Sequence, residues 1–410
     1  MSTFLLFIVF IIAGPLAFAF YLISMVLLYD WALRKHSQFY CLCPACHRMV
    51  TPTEFACHCG AVQDLTPTKR EIFYQQCVMC GRRLPTLPWL GRNELIALCP
   101  NPIHTARYYI GQHAGKYPDM AIPLVGNTST GKTEFLAAWV VYVQTQLERN
   151  YPVEVSYPFQ GGPEFAKECQ RRFANGASAA RTSDRSPVGI GMDIVSTNGK
   201  GGLRAFFYDP PGEVFDFNPN SLQQFHYYDF MNGCLFLIDP FATPGLWGHY
   251  NTASFGIAAS EKSIRDGCEK FINGLREHGL ARSEYHFAYC AVVITKTDAK
   301  FTNRAGSVIF SLDSQIGDEA VRKVMSNDPS LVYEDVLDEI CEEKLRRWGM
   351  GGALDILEEN FVEVRYFSVS AYGKNKTPVE SKRNFTPERV EMPILWMLNK
   401  RNPKLIKLHY

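Results

Sequence analysis

The sequence predicts an α/β protein preceded by an apolar helix and a small cysteine-rich segment. Three observations carry that expectation. The first 28 residues are almost purely apolar; eight of the 13 cysteines fall between Cys41 and Cys99; and from Asp119 onward, strand-like runs such as MAIPLVG alternate with helix-patterned runs such as TEFLAAWVVYVQTQLE. At 410 residues, 47% hydrophobic and 20% charged, the chain can bury one large core and a smaller module. A net charge of +1 argues against a broad cationic surface, so nucleic acid is not an expected partner, although a local patch can hide in a balanced total. The expected divisions are residues 1–36, 37–118 and 119–410.

The apolar start is read as a membrane span. Phe4 to Leu28 contains no charged residue over 25 positions, about 37 Å as a helix against a hydrocarbon core of roughly 30 Å. A cleaved signal peptide would have a basic start and a shorter apolar run, whereas Met1, Ser2 and Thr3 carry no side-chain charge. Arg34, Lys35 and Arg48 follow the span, which by the positive-inside rule puts the remainder in the cytoplasm. Gly14-Pro15 is a place for a kink.

The cysteines next in line come in pairs. CPAC (Cys43, Cys46) precedes CHCG (Cys57, Cys59), and CVMCG (Cys77, Cys80) precedes CPNPIH (Cys99, His104). Short spacing on a tight turn aims two sulfurs at one metal, and a second pair completes a tetrahedron. The expectation is two tandem zinc ribbons, one using Cys43, Cys46, Cys57 and Cys59, the other Cys77, Cys80, Cys99 and His104. Cys41 and His58 are spare donors that can replace a member of the first set. Four protein ligands leave no open position, so the metal would supply folding energy rather than catalysis. The segment lacks a dense basic and aromatic stripe, which favours a protein contact over nucleic acid.

Between the strand MAIPLV and the helix that follows it lies GNTSTGKT, Gly126 to Thr133, of the form G-x-x-x-x-G-K-T. Glycines let backbone N–H groups curl around phosphates, the following helix presents its positive end, Lys132 can reach the outer phosphates and Thr133 can ligate magnesium. Gly126, Asn127, Thr128, Ser129, Thr130 and Gly131 line such a loop. This is the pattern of a nucleoside triphosphate site. Two strand-like runs, GIGMDIV and LRAFFYDPPGEVFD, are joined by the hairpin-like TNGKGG, and the second ends in Asp209-Pro-Pro-Gly212. A carboxylate there can hold magnesium, and the Gly212 amide can touch a γ-phosphate. The apolar GCLFLIDP, the run YCAVVITKTD and the final EVRYFSVSA complete the strand series.

These pieces, in this order, resemble the motif series of Ras-like GTPases of the translation-factor-related P-loop class. GNTSTGKT is similar to their first motif, DPPG to the third, TKTD to the fourth and SVSA to the fifth, over roughly residues 119–400. The resemblance implies a mostly parallel six-stranded sheet with helices on both faces, GTP/GDP and Mg2+ as cofactors, and hydrolysis of GTP as a conformational switch. It implies that Asp298 accepts hydrogen bonds from the guanine ring, that Thr295 belongs to the same turn, that Lys296 packs along the base, and that Ala371 offers its backbone N–H to the guanine oxygen with Ser370 in support. Thr133 and Asp209 would hold Mg2+.

Two departures stand out. Glu213 follows DPPG where these proteins commonly place a water-orienting glutamine; a carboxylate there can act as a base or repel the γ-phosphate. The switch threonine has three candidates, Thr182, Ser183 and Ser186, of which Thr182 is the choice. Arg181 and Arg185 beside it are arginine-finger candidates against the plainer reading of solvated loop arginines. Residues 299–360 exceed what two strands need between them and are expected to hold a helical insertion, including VYEDVLDEICEEKLRRWG. The stretch 252–282 is patterned as one helix interrupted by Gly267 and Gly274.

Membrane helix, paired ribbons and an enlarged GTPase domain together look similar to the bacterial double-GTPase families, associated with conflict or defence and with a second GTPase as partner. The expectation is thus a single-pass membrane GTPase with ribbons and catalytic domain in the cytoplasm, and a protein partner that is a second GTPase or an effector. The alternatives are a GTP-binding scaffold that scarcely hydrolyses, for which Glu213 speaks, and a sensor that binds nucleic acid or protein through its ribbons.

Overall fold

A computed structural model of the chain describes residues 2–35, 40–159, 161–178, 189–198, 201–210, 226–246, 264–277, 287–303, 307–373 and 385–406. The chain divides into two compact units, one made of Met1–Cys43 and Met49–Pro118, the other of Pro44–Arg48 and Asp119–Tyr410.

Helix α1 is Ser2–Lys35, with Pro15 inside it. Among the described residues no helix is long and apolar enough to cross a membrane. That finding overturns the expected transmembrane anchor and the single-pass membrane localisation.

The rest of the first unit is built from very short strands: β1 (Cys41–Leu42) pairs with β2 (Met49–Val50), and β3 (Glu54–Ala56), β4 (Val62–Asp64), β7 (Ile96–Leu98) and β8 (Tyr109–Gly111) form a sheet in the order β4-β3-β7-β8. A separate hairpin pairs β5 (Tyr74–Gln76) with β6 (Arg83–Pro85). Its apolar interior is a handful of side chains, among them Phe55, Leu65, Leu84, Leu87, Leu98 and Ile110. The buried Arg92 stands in for more core: its guanidinium lies over the Phe55 ring and donates to the Thr86 carbonyl at 2.7 Å.

The second unit is a mixed α/β domain. Its sheet has seven strands in the order β10-β11-β12-β9-β13-β14-β17, comprising β9 (Asp119–Val125), β10 (Val153–Ser156), β11 (Ile190–Ser196), β12 (Gly202–Tyr208), β13 (Gly233–Ile238), β14 (Phe287–Ile294) and β17 (Phe361–Ser368). The five from β12 to β17 are parallel; β11 runs antiparallel to β12, and β10 antiparallel to β11. The sequence implied six strands. The additional one, β10, is an edge strand of four residues with exposed Glu154 and Ser156, which left no apolar run to read.

Period-2 alternation sends Met120, Ile122 and Leu124 of β9 and Leu235 and Leu237 of β13 to one face. There they pack with α2 (Lys132–Tyr142), α3 (Gly162–Ala174) and α8 (Glu391–Arg401) around Trp139, Phe173 and Trp396. On the other face Phe236 meets Phe271 of α4 (Ile264–Glu277), which packs against α7 (Gly351–Asn360). Both interrupting glycines, Gly267 and Gly274, lie within α4. Residues 299–360 contain a hairpin, β15 (Lys300–Thr302) with β16 (Val308–Ser311), followed by α5 (Asp318–Met325), α6 (Tyr333–Leu345) and α7. Helix α6 packs on the edge strand β17.

Candidate functional site

The turn after β9 is shaped by positive φ at Gly126 (151°), Ser129 (66°) and Gly131 (93°). A Cβ on Gly126 would stand 2.8 Å from the Leu237 carbonyl oxygen, so the chain has room for glycine alone there. The Thr130 hydroxyl donates to the Asn127 carbonyl at 2.9 Å, closing the turn that also carries Thr128 and Ser129. Gly131 caps α2 in left-handed conformation, and its carbonyl accepts from the Phe135 amide. Lys132 is buried and donates to the carbonyls of Gly126 at 2.6 Å and Asn127 at 3.2 Å, holding its ammonium inside the loop. The Thr133 hydroxyl donates to Asp209 Oδ2 at 2.5 Å, so the end of β12 meets the start of α2. These are the two residues expected to share a magnesium ion. On the loop's other side, Gly267 of α4 allows close approach: a Cβ there would stand 3.3 Å from Asn127 Oδ1.

The TKTD turn joins the same loop. Thr295 Oγ1, buried at the end of β14, lies 2.8 Å from the Thr130 carbonyl, 165 residues away in sequence, and 3.2 Å from that of Ile238. Lys296 has a left-handed backbone (φ 60°) and its ammonium pairs with the fully buried Asp239 at 2.8 Å. Asp298 accepts from the Ser370 hydroxyl at 2.6 Å, and the same Oγ accepts from the Gly373 amide at 2.8 Å. Ala371 follows in that turn, half-buried. The TKTD and SVSA turns therefore adjoin each other and the GNTSTGKT loop.

Two residues of this region were not singled out from sequence. Asp239 ends the run GCLFLIDP, and a carboxylate closing a buried strand was the available signal. Arg389 left none: it has a left-handed backbone, donates to the Ser368 carbonyl at 2.9 Å and to Thr297 Oγ1 at 3.1 Å, and pairs with Asp318 of α5. These three partners lie at least 21 residues away in sequence. Gly212, Glu213 and Thr182, with Ser183, Ser186, Arg181 and Arg185, lie outside the described residues.

The metal donors are grouped differently from the tandem arrangement. Cys43, Cys46, Cys99 and His104 bring their donor atoms within 4.8 Å of one another, and so do Cys57, Cys59, Cys77 and Cys80. The first pair joins the last, and the middle two pairs join each other. The tandem pairing differs because it took neighbouring pairs to share a metal, whereas the fold nests the inner four donors between the outer pairs. Cys41 belongs to neither group: its thiol donates to the Val50 carbonyl across β1–β2. Nor does His58. The spacing fits zinc. Cys43 Sγ lies 3.5 Å from His104 Nε2, Cys57 Sγ 3.7 Å from Cys80 Sγ and Cys59 Sγ 3.5 Å from Cys77 Sγ. Tetrahedral zinc demands about 3.6 Å for sulfur to nitrogen and about 3.8 Å for sulfur to sulfur. Backbone amides of Cys80 and Met79 lower the Cys77 thiol to about 6, so a thiolate is ready for a metal at neutral pH.

No protein-family model matches the chain, and no curated protein matches it. Among solved structures it is similar to a crystal structure of Sup35 complexed with GMPPNP, at 13% identity and a TM-score of 0.24; the match covers 62% of this chain and 38% of that one. A likeness this slight carries no functional argument, so the reading rests on the chain's own residues.

Proposed function

We propose that the protein binds guanine nucleotide with Mg2+ and hydrolyses GTP as a conformational switch, using residues 119–410, with two structural zinc ions in residues 37–118. The observation that supports this reading is the 2.8 Å hydrogen bond from Thr295 Oγ1 to the Thr130 carbonyl, which brings the TKTD turn against the GNTSTGKT loop. Asp298 would accept from the ring N–H and exocyclic amine of guanine, a pair of donors that adenine lacks in that arrangement, while the Ser370 hydroxyl orients the carboxylate. Lys132 would exchange the carbonyls of Gly126 and Asn127 for phosphate oxygens. Thr133 and Asp209 would open around Mg2+, which neutralises charge on the phosphates. Thr182 and Glu213 keep the switch and water-positioning roles that the family resemblance gives them. A protein partner would read the cycle.

Thermal shift of the purified protein tests selection: GTP with Mg2+ raises the melting temperature and ATP with Mg2+ does not, because a ligand that binds only the folded form stabilises it in proportion to affinity. Stabilisation by ATP alone removes the role of Asp298. Phosphate release tests catalysis: turnover lost in Lys132→Ala supports an enzyme, while GTP binding without turnover supports a scaffold.

A further inference from the structure

We propose that Asp239 is a positioning residue of the nucleotide site, anchoring the Lys296 ammonium so that the lysine's methylene stem is set in advance for the face of the purine. The proposal rests on the guanine-nucleotide reading and deepens it by naming what holds the base-packing lysine in place.

Asp239 directly follows β13 and is fully buried. A carboxylate out of water is stable only when it is paired and hydrogen-bonded. Both of its oxygens are engaged. Oδ1 accepts from the Phe241 amide at 3.0 Å, the capping bond of the short helical turn Pro240–Ala242. Oδ2 accepts from the Lys296 ammonium at 2.8 Å. The turn beyond it is closed in its own right, because the Ala242 amide donates to the Asp239 carbonyl at 3.0 Å and the Thr243 hydroxyl to the Pro240 carbonyl at 2.6 Å. With one oxygen tied to backbone and the other facing the lysine, the carboxylate plane is fixed from two sides.

Lys296 arrives from the neighbouring strand. The Thr295 amide donates to the Ile238 carbonyl at 3.0 Å, so β13 and β14 are stitched together one residue before each member of the ion pair. The left-handed backbone of Lys296, φ 60°, is costly for a non-glycine residue and persists only where its surroundings demand it. The Lys296 side chain is 19% exposed and that of Asp239 0%, which separates this pair from the solvated surface pairs that contribute little.

Lysine is a point charge on a flexible stem, and its side chain is among the most costly to order. Held on Asp239, Lys296 has given up that freedom before nucleotide arrives, so the base meets a stem already in place and binds more tightly by the ordering cost avoided. Methylenes against a purine face do not read the base edge, which falls to Asp298. Asp239 therefore governs how tightly the purine is held and leaves the choice of edge unchanged.

The test measures affinity of the full chain with Mg2+ present, using ribose-labelled fluorescent GDP displaced by unlabelled GTP or by ITP, which lacks the exocyclic amine. Asp239→Asn keeps an acceptor for Phe241 and drops the charge; it is expected to weaken GTP and ITP alike by about tenfold. Lys296→Met is expected to lose a similar factor, and the double variant to stay within about twofold of Lys296→Met, since an anchor matters only while there is an ammonium to hold. Unchanged affinity in Asp239→Asn, or a double variant that loses the product of the two single losses, overturns the anchor while leaving guanine binding intact. A changed ratio of GTP to ITP affinity in Asp239→Asn overturns the assignment to the purine face. A parent that binds no guanine nucleotide overturns both the anchor and the reading beneath it. Should Asp239→Asn not fold, the parent decides: its Lys296 ammonium signal in heteronuclear NMR, assigned by its absence from Lys296→Arg, is expected to stay shielded from water exchange when GDP is added, and its loss on binding overturns the anchor.

Discussion

In the cysteine-rich unit the strands are two or three residues long and the buried side chains few, whereas the sheet strands that flank β9 run to six or seven residues and are buried on both faces. Short strands cannot pay for chain ordering with apolar burial, so the first unit needs a different source of cohesion. Two groups of four side chains that could each hold a metal ion are placed to supply it. The second unit has its own large core. The comparison teaches that tight turns of similar size, cysteine knuckle and GNTSTGKT loop alike, lean on different forces: donors placed to share a metal in one, packing and backbone hydrogen bonds in the other.

Removing zinc should break the comparison most. Chelation under reducing conditions is expected to abolish the β-structure of residues 41–111 seen by hydrogen exchange while leaving the strands β9, β13 and β14 protected, since structural zinc contributes on the order of 10 kcal/mol to such segments. Equal loss in both units would show that the sheet unit does not stand on its own core. A smaller effect is expected from Arg389→Leu, which leaves Asp318 and the buried Asp313 without their cation. A loss of about 3 kcal/mol in denaturant unfolding of the sheet unit, with guanine affinity falling through Thr297, is the expected outcome.

The smallest effect is a pH dependence. Burial raises the Asp338 carboxyl to about 6, against the lowering pull of the Tyr366 amide and Arg365. The folded chain therefore keeps a proton that the unfolded chain releases near 4. This stabilisation is complete below about pH 4 and is lost as pH rises through 6. Asp338→Asn should flatten that slope, by about 1 kcal/mol, in urea midpoints measured from pH 4 to 7. An unchanged slope would place the titrating group elsewhere.

What was legible in the sequence was local. The GNTSTGKT turn is eight consecutive residues whose glycines are demanded by backbone geometry, and each donor pair is a turn only a few residues long. Which pairs share a donor group was not legible, because it depends on which knuckles the folded chain brings together and not on their order in sequence. The anchor was misjudged from hydropathy alone: an apolar run is a statement about side chains in sequence, and among the described residues no helix of sufficient length and apolarity results. Thr295 meeting Thr130 was implied by motif order rather than derived, and Arg389 was invisible because it gathers partners from three distant segments.

The nested donor groups also impose a sequence of events on maturation. The inner set closes a stretch of 23 residues between Cys57 and Cys80, while the outer set closes 61 between Cys43 and His104. Looping the longer stretch costs about 0.9 kcal/mol more in chain entropy, a handicap that disappears once the inner knot has shortened the free path. Newly made chains short of zinc would accordingly fill the inner set first and wait with an open clasp around it.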